Sequence, residues 1–241
     1  MAQLEFVNSN FFSDANLVSY YKLENVNDSK GSNTLTNNGS TTFTSARWNN
    51  GANFGSANSS KYLSGAYTYV ASTTDNTVAL WLKPGADENQ FLSFSSDGGR
   101  EYYFGHNPTG YINLHQCASD ASEVDFPNYQ IPSWDNSVWG HYAFTCKTSG
   151  SDTILSIYWN GQLVGQNTRT GKLPGKLGTL NIARLVLETS FLGNGLYDDL
   201  AIFSRALSDS EMANLYAVTD YSYNRSIDDY SLWTPGVQIG S

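Results

Sequence analysis

Gly195-Leu196-Tyr197-Asp198-Asp199-Leu200-Ala201-Ile202-Phe203-Ser204-Arg205-Ala206-Leu207-Ser208-Asp209-Ser210-Glu211-Met212-Ala213-Asn214-Leu215-Tyr216 reads as one β-strand, one tight corner and one short capped helix. In the strand half, strict alternation puts Leu196, Leu200 and Ile202 on one face and Tyr197, Ala201 and Phe203 on the other. Apolar groups on both faces predict a strand covered on both sides. Alternation also sets Asp198 beside Leu200 and Ile202, a costly position for a bare carboxylate. Ser208 and Glu211 have the Ser-x-x-Glu spacing of a capping box, in which hydroxyl and carboxylate each satisfy a free N–H at a helix start. Met212, Leu215 and Tyr216 supply the buried side of that helix.

Three earlier pieces complete the pattern. Leu17 to Glu24 is an apolar strand, followed by Asn27-Asp28-Ser29-Lys30-Gly31 as a turn. Thr77-Val78-Ala79-Leu80-Trp81-Leu82-Lys83-Pro84 carries a strand that closes on Trp-x-Lys-Pro. Trp139-Gly140-His141-Tyr142-Ala143-Phe144-Thr145, then Leu155 to Val164, makes a hairpin pair. In this order the pieces resemble the laminin-G-like domains of the concanavalin-A-like jelly-roll superfamily, from Leu17 to Tyr216. The resemblance implies an all-β fold: a two-sheet antiparallel jelly-roll sandwich with one short C-terminal helix. It leaves function open, because this architecture serves lectins, enzymes and adhesion modules alike.

Composition narrows the classes. A chain of 241 residues fits one large β domain. Charged residues at 15 % and aromatics at 14 % suit a β-rich globule and argue against disorder. A net charge of −9 argues against nucleic acid, which selects a basic patch. No apolar run approaches the ~20 residues of a membrane-spanning helix, so no membrane insertion is expected. Cys117 and Cys146 read as two buried free thiols, with a disulfide as the alternative in an oxidising compartment. The opening Met-Ala-Gln-Leu-Glu-Phe lacks a basic region and an apolar core, so it does not read as a secretory signal.

Strands recur at short spacing. Ser40 to Trp48 is one, and Phe54, Tyr62 and Leu63 mark another. Thr77–Leu82, Gln90–Ser95, Glu101–Gly105 and Tyr111–Gln116 follow, with Leu180–Ala183 leading to the last strand. Turn residues such as Asp97-Gly98-Gly99 separate them. Asn160-Gly161, between Ile157-Tyr158-Trp159 and Gln162-Leu163-Val164, suits a type I′ hairpin turn. The expected organisation is a lead-in segment over 1–16, the jelly-roll domain over 17–216 and a tail over 217–241. Phe6 and Phe11-Phe12 at one end, and Tyr221, Tyr223, Tyr230 and Trp233 at the other, are anchors. They pack on their own domain or dock on neighbouring subunits of an assembly.

Three kinds of site are candidates. The family resemblance implies one structural calcium ion, with Asp28 and Asp198 as side-chain ligands and Asn33 and the carbonyl of Gly31 completing the shell. Hard cations take such oxygen donors. Here Asp198-Asp199 replaces the family's Asp-Glu, and Gly31-Ser32-Asn33 its Gly-Asn turn. The alternative is that Asp28 caps a turn and Asp198 accepts backbone hydrogen bonds. A sugar site would combine aromatic platforms with amide and carboxylate hydrogen bonders. Tyr102, Tyr103, His106, Tyr111 and Trp134 are its leading candidates, with His115, Tyr129, Asn107, Asn113, Gln116 and Asp120 nearby. Most of these aromatics would alternatively be core or cross-strand pairs.

Catalysis is not expected. Glu123-Val124-Asp125-Phe126-Pro127-Asn128 begins like the family's Glu-x-Asp-x-x-Glu hydrolase strand, but Asn128 stands where the acid/base belongs. A retaining glycosidase needs two carboxyl groups about 5–5.5 Å apart. Pro127 argues against a central strand, so Glu123 and Asp125 read as loop carboxylates. His106, His115 and His141 lack a metal-ligand spacing, and His141 falls at a structural hairpin position. The expected function is a non-catalytic binding or assembly module: a phage-type virion surface protein, as a capsid decoration or tail-associated subunit. It would contact other virion subunits through its termini and also bind cell-surface glycans. A secreted bacterial lectin-like module is the alternative, and a glycoside hydrolase the third reading.

Overall fold

The computed structural model describes residues 11–55, 60–65, 75–85, 89–96, 100–106, 109–117, 123–125, 129–170, 178–185 and 193–220. A short 3₁₀ turn, Phe11–Ser13, leads in. The strands that follow are β1 (Leu17–Tyr21), β2 (Thr36–Asn38), β3 (Thr42–Ser45), β4 (Asn50–Asn53), β5 (Tyr62–Gly65) and β6 (Asn76–Pro84). Next come β7 (Asn89–Ser96), β8 (Arg100–His106), β9 (Tyr111–Cys117), β10 (Glu123–Asp125) and β11 (Tyr129–Gln130). The chain continues through β12 (Gly140–Ser149), β13 (Asp152–Trp159), β14 (Gln162–Arg169), β15 (Leu180–Ile182) and β16 (Gly195–Phe203) to the helix α1 (Asp209–Asp220).

Two antiparallel sheets result. The first runs β14-β13-β12-β6-β16-β4-β3, with β1 also on β16. The second runs β10-β9-β8-β7-β15-β5-β2, with β11 on β9. The main core lies between their inner faces, where Tyr142, Phe144, Val78, Leu80 and Ile202 meet Leu92, Phe104, Leu114 and Ile182. This is the expected two-sheet sandwich, and its residues alternate inward as stacked sheets require.

A second core lies on the outer face of the first sheet. One register row there reads Tyr20, Ala201, Ala79, Ala143, Tyr158 across β1, β16, β6, β12 and β13. Three alanines between two tyrosines leave a trough, and Met212 and Leu215 of α1 belong to the same apolar cluster. The Tyr158 hydroxyl donates to Asp209 Oδ1 at 2.7 Å, tying one wall to the helix start. The expected capping box is formed: Ser208 N–H donates to Glu211 Oε2 at 2.8 Å, and Glu211 N–H donates to Ser208 Oγ at 3.3 Å. Arg205 joins Glu211 and Asp14, with Nη2 at 2.7 Å from each carboxylate, so the lead-in is clamped to the helix corner. The helix runs past Tyr216 to Asp220.

Strict alternation fails in β16. Asp198 pairs with Trp81, but the next register pair is Ala201 with Ala79, so one extra residue bulges. Asp199 takes a left-handed conformation, φ 49°. The bulge moves every later side chain to the other face. Tyr197, Leu200 and Ile202 therefore share the inter-sheet core, while Ala201 and Phe203 lie under α1. Leu196 is only half-buried, and Asp198 does not share a face with Leu200 and Ile202. The bulge falls where β16 changes partner, from β4 at Leu196–Tyr197 to β1 at Leu200–Phe203.

Two smaller expectations also change. Ser40 to Trp48 is not one strand: β3 covers Thr42–Ser45, and a turn with Asn49 at φ 47° follows. Glu123 and Asp125 are not in a loop but on β10, paired with β9 at the edge of the second sheet. An edge strand tolerates the nearby Pro127 that excluded a central one. The Asn160-Gly161 turn is as read, with φ 47° and 76°. Cys146 is a buried free thiol whose pKa burial pushes far up. Cys117 has its side chain outside the described residues, as does every residue of 1–10 and 221–241. Among the described residues no helix is long and apolar enough to cross a membrane.

Candidate functional site

The outer face of the second sheet carries a continuous polar row. Register pairs place Thr36, Ser64, Asn181, Ser93, Tyr103, His115 and Asp125 side by side across seven strands. The adjacent row Leu63, Ile182, Leu92, Phe104, Leu114 faces the core. Successive residues point to opposite sides of a sheet, so Thr36, Ser64, Asn181 and Ser93 lie opposite that inner row, with Asn181 and Ser93 buried beneath residues 184–185. Residues 184–185 strap across it. Ser93 Oγ donates to the Arg184 carbonyl at 2.8 Å and Asn181 Nδ2 to the Leu185 carbonyl at 3.3 Å. The Arg184 guanidinium lies over the Tyr62 ring, Cζ 4.5 Å from its centroid. Asn38 Nδ2 donates to Ser64 Oγ at 3.0 Å. Hydroxyls, an amide and an aromatic in one line are the groups that hold sugar hydroxyls and stack on sugar C–H faces.

Of the expected sugar residues, Tyr103 is in this row and Tyr102 and His106 share its strand, with side chains outside the described residues. Asn107 and Asp120 also lie outside them. Tyr111 and Trp134 are half-buried at the end of β9. A Cβ at Gly110 would lie 2.5 Å from Trp134 Cγ, so the indole rests on bare backbone there. Gln130 Nε2 donates to the Thr109 carbonyl at 2.6 Å and staples the same corner. Ser64, Asn181, Ser93 and Arg184 were not legible as site residues, because only strand register aligns them.

The expected calcium residues fall into two groups. Asp28 Oδ1 accepts N–H bonds from Tyr20 at 3.0 Å, Lys30 at 3.0 Å and Gly31 at 2.9 Å. Its Oδ2 accepts the Asn33 N–H at 3.4 Å, and Asn33 Nδ2 donates to Ser19 Oγ at 3.0 Å. Asp28, Gly31 and Asn33 are thus gathered beside β1. Asp198 is buried at the fork between β4 and β1, where its Oδ2 accepts the Trp48 N–H at 2.9 Å. The Tyr20 hydroxyl donates to Asp199 in the same fork. Tyr20, Lys22, Glu24, Trp48, Asn49, Asp198 and Asp199 line a shallow hollow there. Among the described residues no group of three or more His, Cys, Asp or Glu is placed to hold a metal ion.

His141 is the structural residue expected of it. Its N–H donates to Asn160 Oδ1 at 2.9 Å, and its carbonyl accepts the Asn160 N–H at 2.9 Å. Its ring lies 5.2 Å from Trp81 and 5.9 Å from Tyr216. Burial, and then the positive charge of Arg47, lower its pKa to about 3. Arg47 lies 3.6 Å over the Trp81 ring and pairs with Asp220 at the helix end.

The chain belongs to the concanavalin A-like lectin/glucanase superfamily, whose family model matches residues 54–213. No curated protein matches it. Among solved structures it resembles domain 4 of AbnA, a GH43 extracellular arabinanase from Geobacillus stearothermophilus, solved with arabinotriose. That likeness has TM-score 0.63 and 19 % identity, over 83 % of this chain and 98 % of the other. The botulinum neurotoxin type G receptor-binding domain matches with TM-score 0.64 and 13 % identity, over 85 % of this chain and 52 % of the other. The binding domain of Paraclostridial Mosquitocidal Protein 1 matches with TM-score 0.65 and 16 % identity, over 85 % and 52 %. The chain therefore spans about half the length of the toxin binding domains it resembles. At these identities the likenesses show the fold.

Proposed function

We propose that this chain is a non-catalytic glycan-binding module whose contact surface is the outer face of the second sheet. The register row from Thr36 to Asp125 carries the reading, because it sets polar residue types side by side across seven strands, with Asn181 and Ser93 anchoring residues 184–185 over its middle. Membership of a lectin-containing superfamily supports it, as does the arabinotriose bound to a domain of the same fold. A glycan array followed by calorimetry tests it. The expected outcome is saturable micromolar binding to one sugar class, weakened at least about tenfold in Tyr103→Ala, about the ~1.4 kcal/mol that one stacked aromatic supplies. Silence across the array overturns it. No turnover of the bound glycan is expected, and hydrolysis lost in Glu123→Gln would overturn the non-catalytic part.

The proposal extends to placement and to metal. A virion-surface position, with other virion subunits held through 1–16 and 217–241, would bring the polar face to a host glycan. Much of both segments lies outside the described residues. Labelling of intact particles by an antibody to this chain tests that placement, and unlabelled particles favour the secreted module. A structural calcium ion held by Asp28 and Asp198, with the Gly31 carbonyl and Asn33, would tie the turn after β1 to β16. Its removal by chelator should lower Tm by several degrees and calcium should restore it; an unchanged Tm removes the ion from the account.

A further inference from the structure

We infer that the sugar taken by this surface is acidic, and that Arg184 receives its carboxylate. The inference rests on the glycan-binding reading above and adds the chemical class of ligand. Arg184 stands two residues beyond the end of β15, after Ala183, and its carbonyl accepts the Ser93 hydroxyl. Its guanidinium carbon lies over Tyr62, 4.5 Å from the ring centroid. Tyr62 is two residues before Ser64 on β5, so both project from the same outer face.

Among the described residues Arg184 has no carboxylate partner, and its buried Nε has no hydrogen-bond acceptor. The other arginines in the ion pairs above behave differently: Arg47 is paired with Asp220, and Arg205 with Asp14 and Glu211. A chain with 22 acidic and 13 basic residues offers many internal partners for a guanidinium, yet none of the described ones is placed here. A guanidinium over an aromatic ring and without a carboxylate partner among the described residues offers a planar fork that matches a carboxylate bidentately. The neighbouring donors are neutral. Asn38 and the Ser64 hydroxyl, both half-buried, form a hydroxyl-and-amide margin suited to the sugar ring that bears the carboxylate. A uronic or sialic acid unit combines these two features, one carboxylate and several ring hydroxyls. A phosphate or sulfate would match the charge but leave the hydroxyl margin unused.

Paired acidic and neutral glycans decide it. Trigalacturonate is measured against its carboxyl-reduced form, and sialyllactose against lactose, by calorimetry at pH 7 on the full chain. The expected result is at least a tenfold preference for one acidic member over its neutral partner. Arg184→Gln should bring that pair to within about twofold, with a cooperative thermal transition retained to show that the variant is folded. Arg184→Lys keeps the charge but not the fork, and should lose most of the preference. Equal binding of acidic and neutral partners by the parent chain overturns the inference and leaves the glycan-binding reading standing. So does a preference that survives in both variants. Binding to no glycan at all overturns both readings together.

Discussion

At the scale of single residues, burial decides protonation. His141 is neutral because its ring is enclosed by Trp81 and Tyr216 and because Arg47 lies near. Its pKa falls from the ordinary 6.5 to about 3 in the folded chain. The unfolded chain therefore takes up the proton first. The stabilisation is complete above pH 6.5 and is lost as pH falls toward 3. With about 1.4 kcal/mol per pKa unit, the loss is on the order of a few kcal/mol. Tm measured from pH 7 to pH 4 should fall steeply, and His141→Gln should flatten that limb; parallel limbs would show that carboxylates alone set it. Gly110 gives a second residue-scale test. Its φ of 84° and its contact with Trp134 both exclude a side chain, so Gly110→Ala should cost about 1–3 kcal/mol in chemical denaturation.

At the scale of elements, α1 is held by three separate devices. The capping box satisfies its first N–H groups, the alanine trough accepts Met212 and Leu215, and Arg47 pairs with its last residue. Ser208→Ala should cost about 1 kcal/mol, read as a lower denaturation midpoint at unchanged m-value. Ala79→Leu fills the centre of the trough and should cost more, about 1–3 kcal/mol, because the helix must lift or the sheet must shift. If Ala79→Leu proves neutral, the helix does not depend on that trough. The capping box was legible in the sequence because it needs only a four-residue spacing. The trough was not, because its three alanines come from strands far apart in the chain.

At the scale of the whole molecule, closure is non-local. β1 begins near one end of the described chain and pairs with β16, near the other. β16 in turn lies inside the first sheet, between β6 and the β4–β1 pair. Such pairing requires long loops to close before contacts reward them, so refolding in milliseconds to seconds is expected. A chain ended before Gly195 should lack cooperative unfolding altogether, as read by near-ultraviolet circular dichroism, because the inner faces of β1, β4 and β6 would lose their common partner. A folded, cooperative fragment would contradict this view of the sandwich.

The sequence alone determined the class of fold, the Asn160-Gly161 hairpin and the helix cap. Each depends on periodicity or on residues a few positions apart, where local backbone chemistry suffices. Tertiary structure alone decided the face on which Tyr197 and Leu196 project, since one extra residue at Asp198–Asp199 appears only when β16 must serve two partners. It also decided which polar residues line up across the second sheet. Thr36, Ser64, Asn181, Ser93 and Tyr103 become neighbours through register between strands that are distant in sequence, and no local pattern encodes that alignment.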